Sequence, residues 1–134
     1  MIFVDTSAWL ALADSHDHDH SAATAFHHRI ARGEFGKQLT TNYVLAETIT
    51  IVRRRLGLET AVRLAKAIRE GREVGLYWIE PVHHDEAIDL MAAQSDKSWS
   101  VTDCSSFVIM RSLGVQDAFT FDSDFKQAGF STRP

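Results

Sequence analysis

Short apolar runs alternate with amphipathic stretches along the chain. Runs rich in β-branched and aromatic residues predict four strands, at residues 2–4, 38–40, 76–79 and 118–121. Between them, apolar residues that recur every three or four positions predict helices. These helices start after Asp5, cover residues 20–32, 42–56, 59–69, 84–94 and 102–113, and include a short one before Gly129. Strands that alternate with helices predict an α/β fold with a parallel sheet.

The helix over residues 42–56 has the clearest pattern. Four apolar residues form its core-facing stripe: Leu45, Ile49, Val52 and Leu56. Gly57 supplies a stop signal. Glu47 falls on a different face, which it shares with Tyr43, Thr50 and Arg54. The position of Glu47 therefore predicts a carboxylate that points into a cleft.

Composition limits the class of protein. A chain of 134 residues with 45% hydrophobic residues can bury one core, so we expect a single domain over residues 1–134. Cys104 is the only cysteine, which excludes an intramolecular disulfide and favours the cytoplasm. The apolar N-terminus lacks a basic leading region and contains Asp5, so we expect no signal peptide. No segment approaches the roughly 20 apolar residues of a membrane span.

The formal net charge of −4 argues against a protein that binds nucleic acid through a broad positive field. It leaves one route to nucleic acid open. If the acids are concentrated in a pocket that binds divalent cations, the loaded site presents a positive centre to phosphate.

Three aspartates stand where strands meet helices. Asp5 and Asp122 each follow a predicted strand, and Asp103 opens a helix, so a parallel sheet can collect them at one edge together with Glu47. Two carboxylates about 4 Å apart repel by roughly 4 kcal/mol at an effective dielectric of about 20, which a cation relieves. An oxygen-only set of ligands favours Mg²⁺, with Mn²⁺ as a substitute.

Each acid also has a purely structural interpretation, which stays open at this point. Asp5 stands where an N-cap residue would stand, and Asp103 where a first-turn acid favours the helix dipole. Asp124 fits the role of a dipole partner, and we also weigh it as a further metal ligand.

Four segments together resemble the PIN-domain ribonucleases, and most closely the VapC-type toxins of bacterial toxin–antitoxin pairs. The segments are FVDTSAW (residues 3–9), TNYVLAET (41–48), SVTDCSSF (100–107) and FTFDSDF (119–125). Their order and spacing span almost the whole chain. The resemblance implies a three-layer α/β/α fold, with a central parallel sheet of about four or five strands, and metal-dependent endonucleolytic cleavage of RNA.

The resemblance also implies roles for individual residues. Asp5 and Asp103 would be the principal metal ligands, with Glu47 and Asp122 binding directly or through water. The implied reaction is in-line attack of a metal-activated water on an RNA phosphodiester. We expect three neighbouring hydroxyls to orient water or a carboxylate, although capping explains them equally well: Thr6, Ser7 and Ser105. The implied partners are the RNA substrate, a cognate antitoxin and a second copy in a homodimer.

Other polar and aromatic residues have simpler interpretations. Of the consecutive arginines 53–55, we weigh Arg53 and Arg54 as RNA contacts against a solvated helix face. Cys104 fits a small buried apolar residue, and the histidines at 16, 18 and 20 fit a solvated loop. We expect three tryptophans in the core: Trp9, Trp78 and Trp99. Apolar residues of the first two helices suggest a groove for a partner helix: Trp9, Leu12 and Phe26.

Two other functions remain as alternatives to a toxin-type ribonuclease. A magnesium-dependent phosphatase with an aspartyl nucleophile generally needs a second acid two residues later, and here that position is Ser7. A non-catalytic RNA-binding or partner-binding module is the other alternative. Calorimetric titration with magnesium separates this module from both enzymes.

Overall fold

A five-stranded sheet, parallel throughout, forms the centre of the computed structural model, which describes residues 1–134. The strands are β1 (Ile2–Val4), β2 (Gln38–Thr41), β3 (Val74–Tyr77), β4 (Asp117–Phe119) and β5 (Ser131–Arg133). Their order across the sheet is β3-β2-β1-β4-β5. Strands β2 and β3 thus lie on one side of β1, and β4 and β5 lie on its other side. The crevice between β1 and β4 is therefore the switch point, where ligands bind in open α/β sheets.

Seven helices connect the strands. They are α1 (Thr6–Ala13), α2 (His20–Ala31), α3 (Asn42–Leu56), α4 (Leu58–Glu70), α5 (Pro81–Ala93), α6 (Val101–Ser112) and α7 (Ser123–Gln127). Parallel crossovers are right-handed, so a reversal of direction across the sheet moves the helices to the opposite face. Helices α1–α4 pack on one another, and α5–α7 do likewise. The predicted α/β/α layering with about five parallel strands is confirmed.

The third strand begins two residues earlier than the pattern predicts, at Val74 rather than Leu76. The side chain of Asn42 accepts the backbone N–H of Ile79 at 2.7 Å, which takes that group away from the sheet. Pro81 then occupies the first turn of α5, so this helix starts before the predicted His84. Trp78 is 66% exposed, so its predicted place in the core is wrong, whereas Trp9 and Trp99 are buried.

Strand β5 was not predicted. Its three residues carry no apolar alternation, and its position comes from pairing with β4, for example between Phe119 and Arg133. The predicted groove at the first two helices also differs, because Trp9 and Phe26 are buried in the main core. None of the helices has the length and apolar character needed to cross a membrane.

An aromatic cluster packs beneath the carboxyl ends of β1 and β4. Phe107 of α6 has its ring centroid 5.0 Å from those of both Trp99 and Phe125. Phe125 of α7 lies 6.0 Å from Phe3 of β1. The cluster therefore joins three elements, one strand and two helices, that end or begin near the predicted acids.

Candidate metal and nuclease site

The four predicted acids line one cleft of about 380 Å³ at the carboxyl edge of the sheet. Asp5 follows β1 and Asp122 lies just after β4, and these two strands are neighbours. Asp103 contributes from the first turn of α6 and Glu47 from the middle of α3. Other residues of the cleft include Asp124, Thr6, Ser7 and Ser100.

A hydroxyl network fixes Asp5, which is 4% exposed. Its Oδ2 accepts hydrogen bonds from the Ser7 backbone N–H at 3.2 Å, the Ser7 hydroxyl at 2.8 Å and the Thr120 hydroxyl at 3.0 Å. The same two hydroxyls accept the backbone N–H groups of Phe121 and Asp122. The N-cap of α1 and the turn after β4 are thus held together across the switch point. Thr120 was missed as a site residue because its role depends on this strand pairing.

The other acids are also held through one oxygen each. Thr6 donates its hydroxyl to Oε2 of Glu47 at 2.6 Å, which ties α1 to α3. Oδ2 of Asp103 accepts the backbone N–H of Ser100 at 2.8 Å, completing a capping box. Oδ1 of Asp122 accepts the backbone N–H of Asp124 at 2.9 Å and caps α7. For the three aspartates, the capping interpretation and the cleft interpretation therefore apply to the same residues, since one oxygen of each takes part in a helix cap while the side chain lines the cleft.

The acids are close enough to affect one another's ionisation. Burial raises the pKa of Asp5, against hydrogen bonds from Ser7 and Thr120 that lower it. Burial also raises the pKa of Asp103, and the charges of Asp5 and Asp122 raise it further. Burial and the charge of Asp122 raise the pKa of Asp124. The cleft therefore concentrates negative charge that a cation would relieve.

The donors fit a hard divalent ion held partly by water. All the charged groups of the cleft are carboxylates, which suit Mg²⁺ or Mn²⁺. No three His, Cys, Asp or Glu side chains already stand at ligand spacing around one point. Mg²⁺ usually keeps several waters and takes only one or two protein carboxylates, so an open acidic cleft is compatible with it.

The raised pKa of Asp5 predicts how the stability of the metal-free chain varies with pH. A carboxyl whose pKa is higher folded than unfolded stabilises the fold below the unfolded value, and this contribution is lost as pH rises through the folded value. Asp5→Asn mimics the protonated acid. Its unfolding temperature should therefore match that of the unmutated chain near about pH 4 and exceed it by a few degrees near about pH 7. Thermal unfolding in chelator measures this, and a gap that narrows as pH rises would contradict it.

The remaining predicted residues lie outside the cleft. Ser105 is fully buried and donates its hydroxyl to the Thr102 carbonyl within α6. Arg53 is exposed, and Arg54 lines a second cavity that adjoins the cleft. His16 and His18 are exposed in the loop before α2, and Cys104 is buried. His20 instead begins α2, is partly buried and lies 2.7 Å from the Ala11 carbonyl oxygen, so its predicted place in a solvated loop is wrong.

Comparisons with known proteins agree with this architecture. The family described as "PIN domain" matches residues 2–131. The chain is similar to the "23S rRNA-specific endonuclease VapC20" of two Mycobacterium tuberculosis strains, CDC 1551 / Oshkosh and ATCC 25618 / H37Rv. Each is 37% identical over 130 residues, covering 97% of this chain and 95% of the relative.

Solved structures with a similar fold include the following two. The crystal structure of Mycobacterium tuberculosis VapC20, described as a "Sarcin-Ricin loop cleaving toxin", aligns with a TM-score of 0.90 and 36% identity over the full length of both chains. FitAcB from Neisseria gonorrhoeae aligns with a TM-score of 0.66 over 100% of this chain and 97% of that one. Its 12% identity shows likeness of fold alone.

Proposed function

Because the chain belongs to the PIN-domain family, in its VapC-type branch, we propose that it is a magnesium-dependent endoribonuclease and the toxin of a toxin–antitoxin pair. We further propose that it acts in the cytoplasm as one domain over residues 1–134. The observation that carries the proposal is the convergence of four acids from four separate elements on one cleft. Helix capping alone would not require Asp103 to lie so close to Asp5 and Asp122 that their charges raise its pKa.

In this proposal Asp5 and Asp103 hold the ion, and Glu47 and Asp122 hold it directly or through water, with Asp124 as a further ligand. Bound there, a divalent ion would activate water and neutralise charge on the scissile phosphate. The chain's own part is to orient the acids. Ser7 and Thr120 do this for Asp5, and their hydrogen bonds lower its pKa against the larger, opposite effect of burial. A bound cation would favour the ionised form.

Thr6 and Ser100 likewise orient the acids that α3 and α6 contribute to the cleft. Thr6 fixes one oxygen of Glu47, so the second oxygen has a defined direction. Ser100 fixes Asp103 through reciprocal hydrogen bonds of 2.8 and 3.0 Å. Such outer partners usually change metal affinity or activity about 10- to 100-fold when removed.

We propose that the substrate is structured RNA that presents an unpaired loop. The relative VapC20 is described as specific for 23S rRNA and as cleaving the sarcin–ricin loop. Its identity of 37% across nearly the whole chain supports testing that loop first.

We also propose two protein partners, a cognate antitoxin and a second copy of the chain. Apolar side chains exposed on or just before α5 support an interface there: Trp78, Val82, Ile88 and Met91. A short neighbouring reading frame for a DNA-binding antitoxin is expected, and sedimentation of the purified chain as a monomer would contradict the dimer.

Metal addition should give linked effects on activity and stability. MgCl₂ should start cleavage of a sarcin–ricin hairpin RNA and raise the unfolding temperature, and EDTA should reverse both. A ligand at about one hundred times its Kd stabilises the folded state by about 2.7 kcal/mol. The same titration of Asp103→Asn is the control, since the loss of one metal ligand should sharply reduce both effects. Cleavage that continues in EDTA would exclude the proposed mechanism.

A further inference from the structure

A second cavity of about 510 Å³ lies beside the acidic cleft and shares Glu47 and Ile51 with it. One face of α3 forms most of its wall, with Tyr43, Thr50 and Arg54 on that face and Thr102 of α6 opposite. A polynucleotide bound at the acids can therefore extend along α3 from the acidic cleft into the second cavity.

Arg54 places an uncompensated positive charge on this path. No carboxylate lies within 4.0 Å of Arg54, whereas Arg29 and Arg133 form salt bridges of 2.8 and 3.2 Å. Arg53 and Arg55 are unpaired as well, but of these three arginines only Arg54 lines the cavity. Arg54 lies seven residues after Glu47, which corresponds to about 10 Å along a helix. In a chain of net charge −4, a free guanidinium beside the acids is suited to a phosphate, which it can bind through two parallel N–H groups.

Tyr43 places a fixed aromatic ring on the other side of Glu47. It precedes Glu47 by four residues, or about 6 Å along the helix. Its hydroxyl lies 2.8 Å from Nδ1 of His84, and the two rings meet at 72° with their centroids 6.0 Å apart. Because α5 holds the ring through His84, the ring has little rotational freedom to lose when a planar group packs against it.

We propose that this cavity is the subsite for the nucleotides that flank the scissile phosphate, with Arg54 binding a backbone phosphate and Tyr43 stacking on a base. The inference rests on the proposed ribonuclease function and names its substrate class more closely. A base that stacks on Tyr43 must be unpaired, so the subsite selects single-stranded or looped RNA over a regular duplex.

The test uses binding, separate from cleavage. Asp103→Asn protein in MgCl₂ is titrated with the labelled sarcin–ricin hairpin RNA over a series of salt concentrations. Adding Arg54→Gln should raise Kd about five- to tenfold and reduce the slope of log Kd against log salt by about 0.7, as expected for one lost single-strand phosphate contact. Arg54→Lys should keep the slope, since it keeps the charge.

Arg55→Gln is the matched control, because it removes the same charge from the next position of the helix but lies outside the cavity. Equal salt slopes for Arg54→Gln and Arg55→Gln would overturn the phosphate contact. In the cleavage-competent chain, Arg54→Gln should raise KM and leave kcat within about twofold.

The proposed stacking role of Tyr43 predicts a change in Kd that, unlike that of Arg54, leaves the salt dependence unchanged. Tyr43→Leu should raise Kd at least about fivefold with an unchanged salt slope, because stacking on a base involves no phosphate charge. Tyr43→Phe keeps the ring but loses the hydrogen bond to His84, so its Kd should lie between those of the unmutated chain and of Tyr43→Leu. Equal Kd values for the Leu and Phe variants would overturn the stacking contact. If the unmutated chain cuts this RNA but all these variants have the same Kd, only the proposed subsite is overturned. If the unmutated chain neither cuts nor binds this RNA, the proposed function is overturned as well.

Discussion

Replacing Asp103 by Asn is expected to lower the rate of RNA cleavage by about 10²- to 10³-fold or more, because it removes a charged metal ligand without changing the size of the side chain. The fold should survive. The Asn oxygen can still accept the backbone N–H of Ser100, so the capping box at the start of α6 is retained. The charges of Asp5 and Asp122 raise the pKa of Asp103, so loss of its charge also relieves repulsion. The unfolding temperature in chelator should therefore not fall.

Asp17→Asn is the matched control for this variant. It removes one carboxylate whose Oδ1 accepts a backbone N–H at 2.8 Å, from Asp19, in a loop outside the cleft. It should cut RNA at the unmutated rate. Single-turnover cleavage with matched circular dichroism spectra measures both variants. An unchanged rate for Asp103→Asn would mean that the acids of the cleft are not the catalytic site.

The sequence predicts these acids and the sheet edge at which they gather, but it does not predict the strand pairing that brings them together. Asp5 and Asp122 each follow a strand signal, which predicts the carboxyl edge of a parallel sheet. Periodicity says nothing about which strands are neighbours, and the pairing of β1 with β4 across more than one hundred residues is what brings the two acids together. The bond from Thr120 to Asp5 depends on the same pairing, so it was inaccessible to local reasoning.

Tertiary contacts also explain the errors in the strands. Trp78 and Ile79 have high β propensity, yet the side chain of Asn42 takes the Ile79 N–H and the strand ends at Tyr77. Strand β5 shows the opposite case. Its residues have no apolar pattern, and they form a strand because β4 offers them backbone partners. In both places a long-range hydrogen bond outweighs local preference.

The aromatic cluster beneath the cleft couples stability to the geometry of the acids. Phe107 follows Asp103 by one helical turn on α6, Phe125 lies in the helix that Asp122 caps, and Phe3 is two residues before Asp5. The rings contact one another through Phe125, whose centroid lies 5.0 Å from that of Phe107. We therefore expect the packing of this cluster, together with the hydroxyl network around Asp5, to fix the separation of the three acids.

Phe107→Ala should lower the free energy of unfolding by about 3–5 kcal/mol, since the side chain is fully buried and its loss leaves a cavity. That is a large fraction of the roughly 5–15 kcal/mol that stabilises a typical domain. Because the cavity opens beside the helix that carries Asp103, cleavage per folded molecule should also fall. Urea unfolding gives the stability, and cleavage assayed well below the unfolding temperature gives the activity.

Phe26→Ala separates the two effects, because Phe26 is as buried as Phe107 but contacts other rings. It is 2% exposed and packs on Phe35 and Phe119, each with centroids 4.9 Å apart, with no ring of α6 or α7 among these contacts. Its replacement should cost a similar free energy of unfolding yet leave cleavage per folded molecule nearly unchanged. If both variants lose activity only in proportion to their unfolded fraction, the aromatic cluster stabilises the fold without positioning the acids.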